Sequence, residues 1–302
     1  MNSAESRTIR RRVVFGSLKY VSSRAVTGAL GVAASLYLYR VLGPDQAGRF
    51  QFALSLAMTL GVVGALGFMD TLARLVPDRT PQRAGRIFRR GLRLNGVFLV
   101  VLAIVLALVP FLPVPIPPDV RRALPLVYLA TAAYAVYATS TGMLRGQGRL
   151  SALPRLDLVW NFGAKIAALG VALLLPRFLP SYAAHTALQM ITPLLALYLL
   201  RGSWRGPAER LTREEARFCL FILAWDVVRV LVTQVDIFVL RALLEPHDVG
   251  IYAAGTRLIK VGEQLVLGPM MAPLLYYFSH PESSFMRSEV MRHGTRLAGT
   301  AM

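Results

Sequence analysis

Val97-Phe98-Leu99-Val100-Val101-Leu102-Ala103-Ile104-Val105-Leu106-Ala107-Leu108 is a run of apolar side chains without one charge. It sits inside a longer apolar stretch from Leu94 to Leu112. A hydrocarbon core about 30 Å thick is crossed by about 20 helical residues. The stretch therefore reads as a transmembrane helix, and its unbroken greasiness predicts that it faces lipid. The rest of the chain agrees. Of 302 residues, 55% are hydrophobic and only 17% charged, against about 45–50% and about 25% in a soluble domain. Such a surplus cannot all hide in a water-soluble core. Disorder, a disulfide scaffold (the one cysteine is Cys219) and an ordinary soluble enzyme are excluded.

Eight stretches qualify as spans: residues 19–42, 49–76, 94–112, 123–144, 157–175, 183–200, 218–243 and 251–278. Turn chemistry separates them, notably Gly43-Pro44-Asp45, Pro77-Asp78, Gly146 to Gly148 and Pro246-His247-Asp248. The expected fold is an all-α polytopic membrane protein of about eight transmembrane helices.

The 34 Lys and Arg against 16 Asp and Glu give a formal charge of +18. In a soluble chain this would suggest nucleic acid. Here the basic residues lie between spans, so no nucleic-acid partner is expected. With the N-terminus inside, 22 of the 34 fall in inside segments and six at outside ends. That bias agrees with the positive-inside rule. It predicts a multi-pass protein of the cell (cytoplasmic) membrane with a cytoplasmic N-terminus. Lys19 and Arg24 interrupt the first apolar stretch, so no cleavable signal peptide is expected.

The chain also echoes itself. Tyr39-Arg40-Val41-Leu42, a Pro-containing turn and Gly48-Arg49-Phe50 return as Leu240-Arg241-Ala242-Leu243, a Pro-containing turn and Gly250-Ile251-Tyr252. The offset is about 202 residues, and Arg89 to Gly96 returns as Arg292 to Gly299 at a similar one. A repeated offset signals repeated architecture. Six spans return the chain to its starting side, so the repeat is parallel, about an axis along the membrane normal. Residues 1–217 are expected to form a six-helix N-lobe. Residues 218–302 then begin a C-lobe with its first two helices, truncated where a ninth span is due. A natural eight-span protein with a chance echo is the alternative.

Arg40-Val41-Leu42-Gly43-Pro44-Asp45-Gln46-Ala47-Gly48-Arg49-Phe50, with the small-residue helix to Gly67-Phe68, resembles the first hairpin of the oligosaccharide flippases. These are the polysaccharide biosynthesis exporters of the multidrug/oligosaccharidyl-lipid/polysaccharide superfamily. Gln234-Val235-Asp236-Ile237-Phe238-Val239-Leu240, continued by Asp248-Val249-Gly250-Ile251-Tyr252-Ala253-Ala254, resembles the start of that family's second lobe. The resemblance implies two six-helix lobes around a V-shaped cavity and alternating access. It implies movement of an undecaprenyl-pyrophosphate-linked sugar between leaflets. This chain departs from the pattern by lacking most of a second lobe.

Charges inside spans mark where such a cavity would lie. An ionised side chain at mid-bilayer costs about 2.5–3.5 kcal/mol, so six basic residues facing lipid would cost on the order of 15 kcal/mol. Arg24, Lys165, Arg229, Arg257 and Lys260, with Asn161 and Gln264, are therefore candidate cavity residues that bind the anionic head. Asp226 and Asp236 are candidates for coupling to H+ or Na+. Each has a plainer reading. Asp226 with Arg229, and Asp70 with Arg74, have the spacing of internal ion pairs. Arg257 and Lys260 fit an interfacial cap. His185 and Gln189 fit helix–helix hydrogen bonds, Gly28/Gly31 and Gly61/Gly64/Gly67 fit close packing, and Tyr128, Tyr134 and Tyr137 fit packing.

Three functions are compatible with these features. The first is a flippase for a lipid-linked oligosaccharide, with membrane lipids as its other partners, no cofactor and no enzymatic step. The second is a cation-coupled multidrug extruder of the same superfamily, against which the basic surplus argues. The third is a membrane enzyme acting on polyprenyl phosphates. No paired-carboxylate or His/Glu metal spacing supports that one, since His185, His247, His280 and His293 lie apart.

Overall fold

A computed structural model describes residues 3–108, 117–204, 211–257 and 259, with side chains from Val26 onward, Trp204 excepted. Everything described is helix or short connection. Helix α1 (Ser3–Gly64) is in fact two arms, because Gly43 leaves helical geometry at φ 74°, ψ 163°. A residue with a side chain would be strained there, and Pro44 then opens the second arm with a φ suited to a helix start. The second expected span, 49–76, is not one helix. It breaks at Leu66 (φ 53°) and Gly67 (φ 69°), and α2 (Phe68–Leu75) comes next. The break is held by the partner beyond it: a methyl on Gly67 would lie 2.6 Å from the Cys219 carbonyl.

The remaining helices are α3 (Pro81–Leu108), α4 (Pro118–Gly146), α5 (Leu153–Asp157), α6 (Ala164–Leu174), α7 (Phe178–Leu199) and α8 (Arg213–Leu243). Of these, α3, α4, α7 and α8 run longer than the apolar stretches, while the expected 157–175 span is divided among α5, α6 and the turn between them. Hydrophobicity marks the membrane-embedded part, while the helix continues as charged turns into the interface. A ninth helix, α9, is helical at residues 246–257 and opens on Pro246 as the second arm of α1 opens on Pro44. The rest of the expected eighth span lies outside the described residues. Among the described residues five helical stretches are long and apolar enough to cross a membrane, including Val26–Gly64 and Leu150–Leu174. Val26–Gly64 contains two expected spans joined at Gly43. Helix α7 is long enough but is diluted by His185, Gln189 and Thr192, all of them buried. The chain is a multi-pass, all-α membrane protein.

The expected lipid-facing span is bare: Val97, Val100, Val101, Ile104, Val105 and Leu108 of α3 are all exposed. What holds α3 in place is polar. Buried Asn95 donates to the Ala135 carbonyl at 3.1 Å and to Thr139 Oγ1 at 2.7 Å on α4. Gly61 and Gly64 allow close approach, as expected, with Tyr134 and Phe98 lying against them.

The bundle has two ends. At the near end lie the 76–79, 147–150 and 201–204 connections and the start of α8. Here Phe68, Leu72, Phe88, Met143, Leu144, Leu156 and Cys219 form one core. At the far end lie the Gly43 break and the starts of α4, α7 and α9, over a second core of Leu38, Phe50, Val127, Tyr182, Ile237, Val249 and Ala253. The near end gathers most of the basic connections. Its key tie is Glu215, whose backbone N–H donates to Thr212 Oγ1 at 3.2 Å while its carboxylate accepts from the Thr212 N–H at 2.9 Å. This is a reciprocal helix cap. The same carboxylate takes Arg79 at 3.3 Å and Arg83 at 3.2 Å, so it fixes the start of α8 to the α2–α3 corner. Replacing Glu215 by Ala removes the carboxylate half of the cap, leaving the Thr212 side chain bonded to the backbone N–H, and strands two cations. Glu215→Gln keeps the cap. In detergent, E215A should melt several degrees below wild type and E215Q between the two; equal melting would show that the two arginine pairs add nothing.

Candidate functional site

The segment that carries Lys165 is irregular. Between α5 and α6, Leu158–Gly163 is a π-helical turn. Such a turn rotates the helix beyond it and frequently marks functional positions. It holds Asn161, which is exposed, and it points Lys165 at the first arm of α1. Lys165 Nζ donates to the Gly31 carbonyl at 2.9 Å. Gly31 permits this, since a side chain there would begin 3.3 Å from Nζ. Ser35 Oγ donates to the same carbonyl at 2.8 Å. The polar face formed by Thr27, Gly31 and Ser35 is thus turned inward, and Thr27 and Ser35 are buried.

A second chain of contacts meets it from the far end. Arg257 on α9 donates to Gln51 Oε1 at 3.1 Å. That oxygen also accepts from the Tyr39 hydroxyl, and Gln51 Nε2 donates to Ser55 Oγ at 3.0 Å. Gln51 joins both arms of α1 to α9. It was not expected from sequence, where a lone Gln in an apolar helix carries little signal. Arg257 is not an interfacial cap. It lies about three turns inside α9 and close enough to Lys165 for the two cations to repel. Both also act on His185 of α7. His185 is 2% exposed and packs against Phe50 and Tyr182. Its ring nitrogens make no hydrogen bond of good geometry, although the Ala164 carbonyl of α6 is near enough to act on the ring. The expected helix–helix hydrogen bond through His185 is reduced to that loose contact. Among the described residues no carboxylate pairs with Lys165 or Arg257.

Arg229 lies elsewhere. It is more than half exposed and donates to Asp226 Oδ1 at 3.0 Å, the internal pair that its spacing suggested. Asp226, Arg229, Asp70 and Arg145 lie around the half-buried Tyr134 toward the near end. Asp70 is not paired with Arg74. It faces Arg145 at 3.8 Å, and Arg74 lies over the Phe218 ring at 5.1 Å. A helical neighbour lost to a partner on another helix because α2 is short and packs flat against α4. Asp236 accepts from the Tyr252 hydroxyl and from the Ile237 N–H at 2.8 Å, which ties α8 to α9. The candidates thus form two groups, not one ring. The Arg24 side chain, Lys260 and Gln264 lie outside the described residues, as do His280 and His293. The expected aromatics are packing residues: Tyr137 stacks on Trp160 at 4.4 Å and donates to Asp157. A small pocket between Arg49, Phe52, Asp119 and Phe178 has about 10 Å³, room for one water. Among the described residues no group of three His, Cys, Asp or Glu could hold a metal.

The fold has a solved counterpart. A transporter of the MOP superfamily from Pyrococcus furiosus aligns with a TM-score of 0.60 at 15% identity, covering 87% of this chain and 64% of that one. Its binding pocket is described as having reverse polarity, suggesting a different function for that protein. The present chain therefore has the MOP transporter fold but spans less than two-thirds of that transporter. No curated protein matches the sequence significantly. The sequence matches the family described as polysaccharide biosynthesis protein over residues 14–280, which includes both hairpins, Lys165 and Arg257. The chain belongs to the polysaccharide biosynthesis protein family.

Proposed function

We propose that this protein takes part in flipping a polyprenyl-pyrophosphate-linked oligosaccharide across the cytoplasmic membrane by alternating access. In this reading the N-terminus is cytoplasmic and the near end, with its basic connections, faces the cytoplasm. Residues 1–217 make up one six-span unit, and residues 218–302 begin a second. The observation that carries the reading is the pair Lys165 and Arg257. In this reading they belong to different units and lie within the bilayer, and neither is neutralised by a described carboxylate. Two such cations need an anion. A pyrophosphate supplies one, and Arg suits its oxygens through paired N–H donors. Asn161, on the π-helical turn beside Lys165, offers an amide to a sugar hydroxyl, while the polyprenyl tail stays in lipid. Lys260, Gln264 and Arg24 belong to the same proposed site by their positions in the sequence.

Pocket polarity is also the property on which the Pyrococcus furiosus neighbour was set apart. A net positive site disfavours the cationic substrates of a multidrug extruder. Coupling to H+ or Na+ would fall to Asp226 or Asp236. A proton or sodium ion on Asp226 competes with Arg229, and one on Asp236 competes with Tyr252.

Undecaprenyl pyrophosphate in proteoliposomes tests the site. Lys165→Gln and Arg257→Gln are each expected to weaken its binding about tenfold, roughly one charge-assisted hydrogen bond, while undecaprenol does not compete. Wild-type affinity in both variants would remove the anion site. For the coupling step, Asp236→Asn should abolish stimulation of lipid movement by an imposed proton or sodium gradient. A stimulation equal to wild type would take Asp236 off the ion path.

A further inference from the structure

The two echoing hairpins touch each other at the far end, and they do so reciprocally. A methyl built on Gly48 would lie 1.8 Å from the Pro246 carbonyl oxygen and 3.0 Å from the Gly250 nitrogen. A methyl built on Gly250 would lie 2.0 Å from the Pro44 carbonyl oxygen and 3.1 Å from the Gly48 nitrogen. Pro44 and Pro246 are equivalent in the repeat, as are Gly48 and Gly250. Each glycine therefore packs on the other hairpin's proline carbonyl. This is the signature of a two-fold relation, in which residue i meets j and j meets i. The distances are near-equal in the two directions, which a chance crossing would not give.

The crossing sits directly above the cations. Gln51, one turn below Gly48, receives Arg257, two turns below Gly250. Val249 and Ala253, which flank Gly250, are 0% and 1% exposed. Beside the crossing, Asp119 at the start of α4 takes Arg241 of α8 at 3.3 Å and Arg49 of α1 at 3.7 Å. The contact is backbone against backbone. Around it the two hairpins share apolar packing: Ile237, Val249 and Ala253 join the core of Phe50 and Leu54, and Phe52 meets Phe238 edge-on at 6.0 Å.

We propose that Pro44–Gly48 and Pro246–Gly250 form a clasp that closes the far end of the site lined by Gln51, Lys165 and Arg257, and that it parts when the site opens there. The substrate named above is not needed for this statement, but the clasp's role in transport rests on that reading. When the clasp parts, the two glycine–carbonyl contacts, the Arg257–Gln51 bond and the Arg241–Asp119 pair are lost, together with the apolar contacts of Ile237, Val249 and Ala253 with the Phe50 core. Water can satisfy the polar groups in the open form, while the apolar contacts favour the closed one. A methyl at either glycine holds the hairpins apart.

The test uses Ala253→Cys as a reporter beneath the crossing, in permeabilised membranes with an impermeant maleimide supplied to both faces. The wild-type chain, with only buried Cys219, is the blank. Ala253→Cys should label far more slowly than exposed Asp45→Cys. Adding Gly48→Ala or Gly250→Ala should raise its rate about tenfold, and Arg241→Gln about threefold, as the open population grows. Gly255→Ala, on the same helix with nothing within 4 Å, should leave the rate unchanged. If the glycine variants fail to fold, Arg241→Gln alone decides. The clasp is overturned if Ala253→Cys labels as fast as Asp45→Cys, or if Arg241→Gln and the folded glycine variants match Gly255→Ala. Undecaprenyl pyrophosphate separates the two readings. A clasp that responds to these variants but not to the lipid removes the substrate. Lipid binding with no response to the variants removes the clasp.

Discussion

Lys165 donates to the carbonyl of Gly31, and much of the arrangement depends on that bond. An ammonium in hydrocarbon has no water to turn to, and a helical carbonyl is normally taken by its own helix. Gly31 leaves its carbonyl open to a second donor from outside. The π-helical turn just before Lys165 brings that donor round to face it. The first arm of α1 is thereby fixed against α6, and Gln51 on the second arm is left to receive Arg257. One cation thus ties the first arm of α1 to α6, and in the proposed reading it marks where an anion would sit.

Most of the architecture could be read from the sequence because it is dictated by the solvent. A bilayer requires long helices with turn residues between them, and Gly43-Pro44 and Pro246 mark two turns correctly. Hydropathy misplaced the ends wherever a helix continues into the interface, as α3 does from Pro81. It also missed the break at Leu66–Gly67. That break occurs in apolar sequence and exists because Gly67 must clear the backbone of α8, a long-range contact with no local signature.

The site was legible in part for the same reason. Charges set within apolar sequence announce themselves, so Lys165, Arg229 and Arg257 could be picked out singly. Their grouping could not. Helical spacing gave the Asp226–Arg229 pair but also suggested Asp70 with Arg74, and the structure gives Asp70 to Arg145 on α4. Gln51 carries no charge and so stood out from nothing, yet it is the side chain that accepts from Arg257. The π-helical turn leaves no composition mark at all.

The repeat joins these observations. Equivalent hairpins related by a local two-fold must cross wherever the axis passes between them, and at the crossing only residues without side chains fit. Gly48 and Gly250 are those residues, which is why this echo is sharp while the surrounding helices have diverged. The cations below the crossing are not equivalent: Arg257 comes from the second hairpin, and its contact in the first is Gln51. In the proposed reading the shared geometry of the two halves would serve the movement and the differences between them the ligand. With one cation on each half, affinity for an anion between them would change when the halves separate, because Arg257 would move with α9 while Lys165 stayed bonded to α1. Binding an anion between them would favour the closed clasp, and releasing it would require the clasp to part.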